Sequence, residues 1–392
     1  MTRRVAIVGI GQTEVGYNVH GLNRKELTYV ATKRALDDAG IGREDIDSAI
    51  TAQSDLYEGV SLCQQYTLDS VGGVMKACDQ RLGEDGIYAV FAGYVEAAAH
   101  PGRIVVVASV EKSSDREPGS NPALVLSSLD AVYVRQVCSA VSGLAGLEAC
   151  LAAMEARRYM HFSGITESQM ARVAVKNYTH ALRNPLAQNG KKTSLDEVMN
   201  SRMLSWPLRS TMVAEPGDGA CSLVLASEEV VKDLTDRPVW IRGIGWNSDV
   251  NYPAVSEIGR AKFISLAARH AYAMAGIKHP AGDIDLAEVY DNYAFNELMH
   301  CEALGLCREG EGGRFLEEGK WELGGSLPVN PSGGLLGHGN PLGTAGLIRV
   351  AQAALQLRGE AGDYQVKGAE VAVAQGCQWP YRSGGVAVLS SW

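Results

Sequence analysis

No two of the eight cysteines in this 392-residue chain form a CxxC pair, and none has metal-ligand spacing. That excludes a zinc ribbon and argues against a disulfide framework, so reduced thiols, as in a cytoplasm, are expected and no metal site is. Long apolar runs are missing too. The stretch "MTRRVAIVGIGQTEVG" holds an apolar run too short for a signal peptide, and no segment is long enough to cross a bilayer. Positive charge is not in excess either: the net charge is −9, which excludes general affinity for nucleic acid or a membrane surface. A local basic patch can still hold an anionic small ligand. The expectation at this level is a soluble cytoplasmic enzyme, too long for one simple core and therefore two similar domains or one large α/β unit.

What the chain does have is repetition. "RRVAIVGIGQTEVG" from Arg3 is a β-branched run closed by glycines, a buried strand and turn, and "RPVWIRGIGWNSD" from Arg237 repeats it. Each is followed by an amphipathic helix ended by "AGI", then a "DID" turn into a strand, at residues 26–55 and again at 263–293. A third echo joins "GDGACSLVLAS" from Gly217 to "SGGVAVLSSW" from Ser383, each a glycine turn before a closing strand. Three features recurring in order point to two α/β halves packed about a pseudo-twofold axis. The expected boundaries are 1–111 with 210–235 for the first half, 112–209 for an inserted helical cover, and 236–392 for the second half. In the insertion, Arg158, Lys176, Arg183 and Arg209 are candidate contacts for a phosphate-bearing ligand; the alternative is a solvated helical face.

One further stretch is written in glycine. "VNPSGGLLGHGNPLGTAGLIRVAQAALQLRGE" from Val329 sets His338 and Asn340 on a turn at the mouth of an amphipathic helix. With "ARRYMHFSGITESQMARVAVKNYTHALRNPLAQ", "EPGDGACSLVLAS" and "EVYDNYAFNELMHCEALGLC" from Glu288, it resembles the thiolase superfamily, in its sterol-carrier-protein-x-type, lipid-transfer-protein-like branch. The resemblance covers essentially the whole chain. It implies a duplicated five-layered αβαβα thiolase fold with a helical loop domain inserted in the first half, a homodimer, and acyl-CoA chemistry. Coenzyme A would then be a substrate rather than a tightly bound cofactor. A small partner subunit with an OB fold and a zinc ribbon is also implied.

The family's catalytic residues do not all carry over. The acyl-accepting cysteine sits at the N-terminus of a buried helix, where thiolate is stabilised. Counting back from "GRIVVVASVEK", that position falls at Gly83, in "RLGEDG". Cys78 lies too early, and Cys138, within the insertion, reads as a small packing residue. Tyr290 stands at the histidine of the His-Asp-Cys-Phe segment, Asn292 at its cysteine, and Asn340 at the histidine of Gly-His-Pro. His338 lies two residues earlier, and Cys377 is out of register by about two from the usual acid/base cysteine. The catalytic candidates are therefore His338, Cys377, Tyr290 and Asn340, with Tyr293, Phe295, Trp379 and Tyr381 lining an aromatic acyl pocket.

Two reactions suit these residues. A thiolase makes or breaks a carbon–carbon bond in a β-keto acyl-CoA through an acyl-cysteine, here with a bulky aromatic acyl group of the benzoylsuccinyl type. A retro-aldol lyase cleaves a β-hydroxyacyl-CoA without a covalent intermediate, using Tyr290 as acid/base and an oxyanion donor. A catalytically silent CoA-binding subunit is the third reading. Thiolase chemistry leads.

Overall fold

The computed structural model describes residues 3–54, 66–115, 147–250, 256–378 and 382–392. Cys138, Trp379 and Tyr381 lie outside them. The strands are β1 (Val5–Gln12), β2 (Ser48–Ala52), β3 (Cys78–Leu82), β4 (Ile104–Glu111), a small hairpin of β5 (Met203–Ser205) and β6 (Leu208–Arg209), β7 (Gly219–Ser227), β8 (Val239–Ser248), β9 (Leu286–Glu288), β10 (Val371–Gln378) and β11 (Ser383–Ser390). The nine long-range strands run β3-β2-β4-β7-β1-β8-β11-β10-β9. Read outward from the centre, β1-β7-β4-β2 and β8-β11-β10-β9 have the same order and the same directions. The first two junctions of each half are antiparallel and the third is parallel. The halves meet where Ala6 and Ile7 pair antiparallel with Trp240 and Val239.

The repeated motifs have physical causes. Helix α1 (Arg24–Ala39) lies on β1, and a Cβ at Gly9 or Gly11 would fall 2.2 or 2.0 Å from the carbonyl oxygens of Ala35 and Ala31. Its counterpart, which we number α5 (Lys262–Ala275), lies on β8, where Gly243 and Gly245 meet the Ala271 and Ala267 carbonyls at 2.0 and 2.1 Å. Each "GIG" is therefore a seat for a helix backbone that no side chain could share. Both "AGI" segments end their helix on a left-handed glycine, Gly40 at φ 67° and Gly276 at φ 77°, the conformation in which glycine has no Cβ penalty.

The remaining helices used below are α2 (Ile87–Ala99), α3 (Leu147–Ser163), α4 (Glu167–Ala181), α6 (Ala294–Ala303), the short α7 (Gly334–His338) and α8 (Ala345–Arg358). Helices α2 and α8 touch each other and strands of both halves, so they form the middle layer, with α1 and α5 outside. Helix α4, from the insertion, packs on α6 and α7 and closes the second half over its glycine loop. No described helix is long and apolar enough to cross a membrane.

Candidate active site

The N-termini of the two middle helices converge, and one carboxyl group caps both. Asp85 Oδ1 accepts from Ile87 N at 2.9 Å, and Oδ2 accepts from Gly346 N at 3.0 Å. Gly86 N donates to Gly343 O at 2.7 Å, tying the same two ends together. Burial pushes the Asp85 carboxyl up to about 7, against the pull of its two N–H donors. The space around it is glycine-built: a Cβ at Gly346 or Gly376 would lie 1.8 or 2.5 Å from Oδ1. Gly83, reached by counting, is exposed ahead of the helix, and the residue buried at the helix mouth is Asp85.

Cys377, near the end of β10, is 3% exposed and pairs in register with Gly384. Its thiol is pushed well above the ordinary range, first by burial and then by Asp85. Cys78, Cys221, Cys301 and Cys307 are all shifted the same way, burial being the main cause in each. Thiolate is the nucleophilic form, so none of these five is poised as one.

At the second-half loop the side chains divide into two groups. His338 is fully buried, with Nδ1 3.0 Å from Arg349 Nη2 and Nε2 3.0 Å from Gln12. A guanidinium only donates, so Nδ1 accepts and Nε2 carries the proton; for Gln12 to receive it, the Gln12 and Gln352 amides, 2.9 Å apart, turn together, so that Gln12 accepts from His338 and donates to Gln352. Arg349 continues to Glu288 at 2.9 Å and Ser332 at 3.0 Å. Burial, helped by Arg349, holds His338 neutral, well below the usual range. Both ring nitrogens are committed, which leaves His338 no atom for a substrate.

Asn340 belongs to the other group. Its backbone is fixed by Glu215 O at 3.0 Å and Gly217 N at 3.1 Å, and its Nδ2 donates to Asn292 Oδ1 at 2.8 Å. Its Oδ1 is buried without a hydrogen-bond partner among the described residues. Tyr290 is 3% exposed, with its backbone N donating to Gln375 Oε1 at 2.8 Å. Asp291 turns the other way and receives Leu335 N, Leu336 N and Asn177 Nδ2, so it anchors the start of α7.

The other expected site residues are dispersed. Phe295 is fully enclosed in the core and stacks against Tyr293 at 6.0 Å, so this pair is packing. Lys176 corrects the reading of the insertion as a row of surface cations. It is 1% exposed, and its ammonium is held by Val329 O at 2.7 Å and Glu297 at 3.2 Å. A buried charge needs such partners, so it is not available to a phosphate. Arg209 is bound to Glu167 at 2.6 Å. Arg158, over the Phe162 ring at 4.0 Å, and Arg183 remain exposed.

Against known proteins, the chain matches the model of the thiolase N-terminal domain over residues 5–193 and of the thiolase C-terminal domain-like family over 252–391. The acetyl-CoA acetyltransferase of Methanothermobacter thermautotrophicus is 33% identical over 383 residues, 94% of each chain. The chain belongs to the thiolase superfamily. Relatives named sterol carrier protein 2 agree with the sterol-carrier-protein-x-type branch. The 17-hydroxy-3-oxo-4-pregnene-20-carboxyl-CoA lyase of Mycobacterium tuberculosis is 31% identical over 92% of each chain. The benzoylsuccinyl-CoA thiolase subunit BbsB of Thauera aromatica is 35% identical over 216 residues, 55% of this chain and 56% of that one. Among solved structures, the Ltp2-ChsH2(DUF35) aldolase superposes with a TM-score of 0.84 at 27% identity, covering 99% of this chain and 98% of that one.

Within this thiolase fold, two buried groups escaped the sequence reading. Asp85, two residues after Gly83, gives little local sign of its role, although an acid followed by glycine before an apolar helix is a capping signal. His300, in "ELMHCEA", reads as helix interior. The structure sets it beside Tyr290, whose carbonyl oxygen accepts from its Nδ1 at 2.8 Å.

Proposed function

We propose that this thiolase-superfamily protein is a retro-aldol lyase that cleaves a β-hydroxyacyl-CoA into a carbonyl compound and a shorter acyl-CoA. The observation that carries the reading is the capped helix mouth. Asp85 occupies the buried end where an acyl-accepting thiolate would be stabilised, and the neighbouring Cys377 is held as a thiol. Chemistry that needs no covalent intermediate is what such a site can still do. Cleavage then requires a base for the β-hydroxyl proton, a donor for the thioester enolate and an acid for its carbon. Tyr290 is the acid, and Asn340, with a second Nδ2–H beyond the one given to Asn292, is the oxyanion donor.

Coenzyme A enters as part of the substrate, with Arg158 and Arg183 as cations for its phosphates. An aromatic acyl group is the preferred class, by analogy with the benzoylsuccinyl-CoA and steroid-CoA relatives. A homodimer with a small second subunit belongs to the same reading, prompted by the two-component aldolase that superposes well.

One observation favours the thiolase reading as the alternative: the relative named acetyl-CoA acetyltransferase matches along nearly the whole chain. Two probes separate the readings. With 3-hydroxy-3-phenylpropionyl-CoA, the lyase releases benzaldehyde and acetyl-CoA without added CoA. With 3-oxo-3-phenylpropionyl-CoA plus CoA, a thiolase releases benzoyl-CoA and acetyl-CoA. Turnover of the second probe alone overturns the lyase. Turnover of neither, with or without a co-purified partner, favours a silent CoA-binding subunit.

A further inference from the structure

Retro-aldol cleavage needs a base as well as an acid; Tyr290 is the acid, the buried Cys377 is held as a thiol, and the Asp85 carboxyl is taken up by two helix N–H groups. His300 has the properties of the base. It projects from α6, is 2% exposed, and its ring lies 6.4 Å from the Tyr290 ring at a tilt of 48°. The acceptor of its Nδ1 is a carbonyl, which cannot donate, so Nδ1 carries the proton and Nε2 carries the lone pair. Among the described residues Nε2 has no hydrogen-bond partner, and it is not among the fully occluded unpaired atoms either.

Burial, more than the charges around it, keeps the ring neutral. Glu155 from α3 and Arg382 at the foot of β11 face it, and they pair with each other at 2.7 Å. The same two groups act on the Cys377 thiol. Burial pushes the imidazolium down to about 4, with Arg382 acting in the same direction and Glu155 and the Tyr290 carbonyl opposing. The ring is neutral at ordinary pH, as a base must be before it takes a proton.

Building on the lyase reading, we propose that His300 Nε2 is the general base that takes the β-hydroxyl proton, with Tyr290 as its acid counterpart. The step balances without any co-reactant. Nε2 accepts the hydroxyl proton, the O–H electron pair becomes the carbonyl π bond, and the Cα–Cβ bond breaks. Its electrons form the thioester enolate, which takes the Tyr290 phenol proton at carbon. Transfer of the imidazolium proton to the phenolate resets both groups.

His300→Asn and His300→Gln test this in the full-length protein with 3-hydroxy-3-phenylpropionyl-CoA. Asparagine keeps a donor at the Nδ1 position towards the Tyr290 carbonyl but removes the lone pair at Nε2. We expect kcat to fall by about 10²–10⁴-fold with KM little changed, and added imidazole to restore part of the activity to His300→Ala. In ¹⁵N spectra of the wild type at pH 7, His300 should be the neutral Nδ1–H tautomer. If His300→Asn retains kcat within about threefold of a cleaving wild type, the histidine is structural and the proposal is overturned. If asparagine unfolds the protein, His300→Gln and the imidazole test decide. A wild type that cleaves no β-hydroxyacyl-CoA fails the lyase reading itself, a result distinct from an active His300→Asn.

Discussion

The two halves of this molecule are copies in their frames and differ in the loops beside their helices. Strand order, the glycine seats for α1 and α5 and the left-handed helix ends all recur, because each solves the same packing problem. At α2, in the first half, the mouth is closed by a buried carboxylate that also caps the second-half helix. The second half differs in the loops beside its helices: among the described residues the Asn340 amide oxygen and His300 Nε2 have no hydrogen-bond partner, and the Tyr290 carbonyl accepts from His300 Nδ1. Duplication preserves what the fold needs twice. Function needs its groups once, so the loops that carry them are free to diverge.

This contrast can be broken most sharply at Tyr290. Tyr290→Phe should lower kcat for β-hydroxyacyl-CoA cleavage by about 10²–10⁴-fold without unfolding the protein; an unimpaired variant would remove the acid from the second-half loops. Next in size is Lys176, which the structure assigns to the fold. Lys176→Ala leaves Glu297 buried and uncompensated and should cost about 3–5 kcal/mol in denaturant unfolding. CoA affinity of the folded fraction should not change, whereas a loss of CoA binding with full stability would return Lys176 to the phosphate site.

Asp85→Asn sharpens the first-half side. The amide keeps one acceptor and turns an N–H₂ towards a helix N–H, so a loss of about 1–3 kcal/mol is expected, with kcat within a few-fold. The pH dependence has a definite sign. Folded Asp85 titrates near 7 and the unfolded carboxyl near 3.8, so the wild type carries no penalty in strong acid. That penalty grows as pH rises from 3.8 and is complete above 7. The stability advantage of wild type over Asp85→Asn should therefore shrink from pH 4 to pH 8. An advantage that widens over that range would contradict the buried-carboxyl account.

The frame was legible in the sequence because its causes are local. A glycine pair under a helix and a glycine at a helix end leave the same letters each time they are used. The site was less legible because its causes lie in three dimensions. His338 stands out in a glycine loop as a catalytic residue would, yet Arg349, eleven positions on, and Gln12, in the other half, consume both its nitrogens. His300 shows the reverse. Its neighbours in sequence are those of an ordinary buried helix, and only the fold brings the Tyr290 carbonyl onto its Nδ1, with Nε2 left without a hydrogen-bond partner among the described residues. Lys176 was read as one charge in a row, but α4 points it inward to a carboxylate 121 residues away.

The central claim is that cleavage proceeds without an acyl-enzyme, and intact-protein mass spectrometry on rapidly quenched reactions tests it most directly. With 3-hydroxy-3-phenylpropionyl-CoA and with 3-oxo-3-phenylpropionyl-CoA, the account predicts only the unmodified mass at every time point, while benzaldehyde accumulates from the hydroxy probe. A transient acetyl or benzoyl adduct on a cysteine, formed and lost at the rate of turnover, would contradict it.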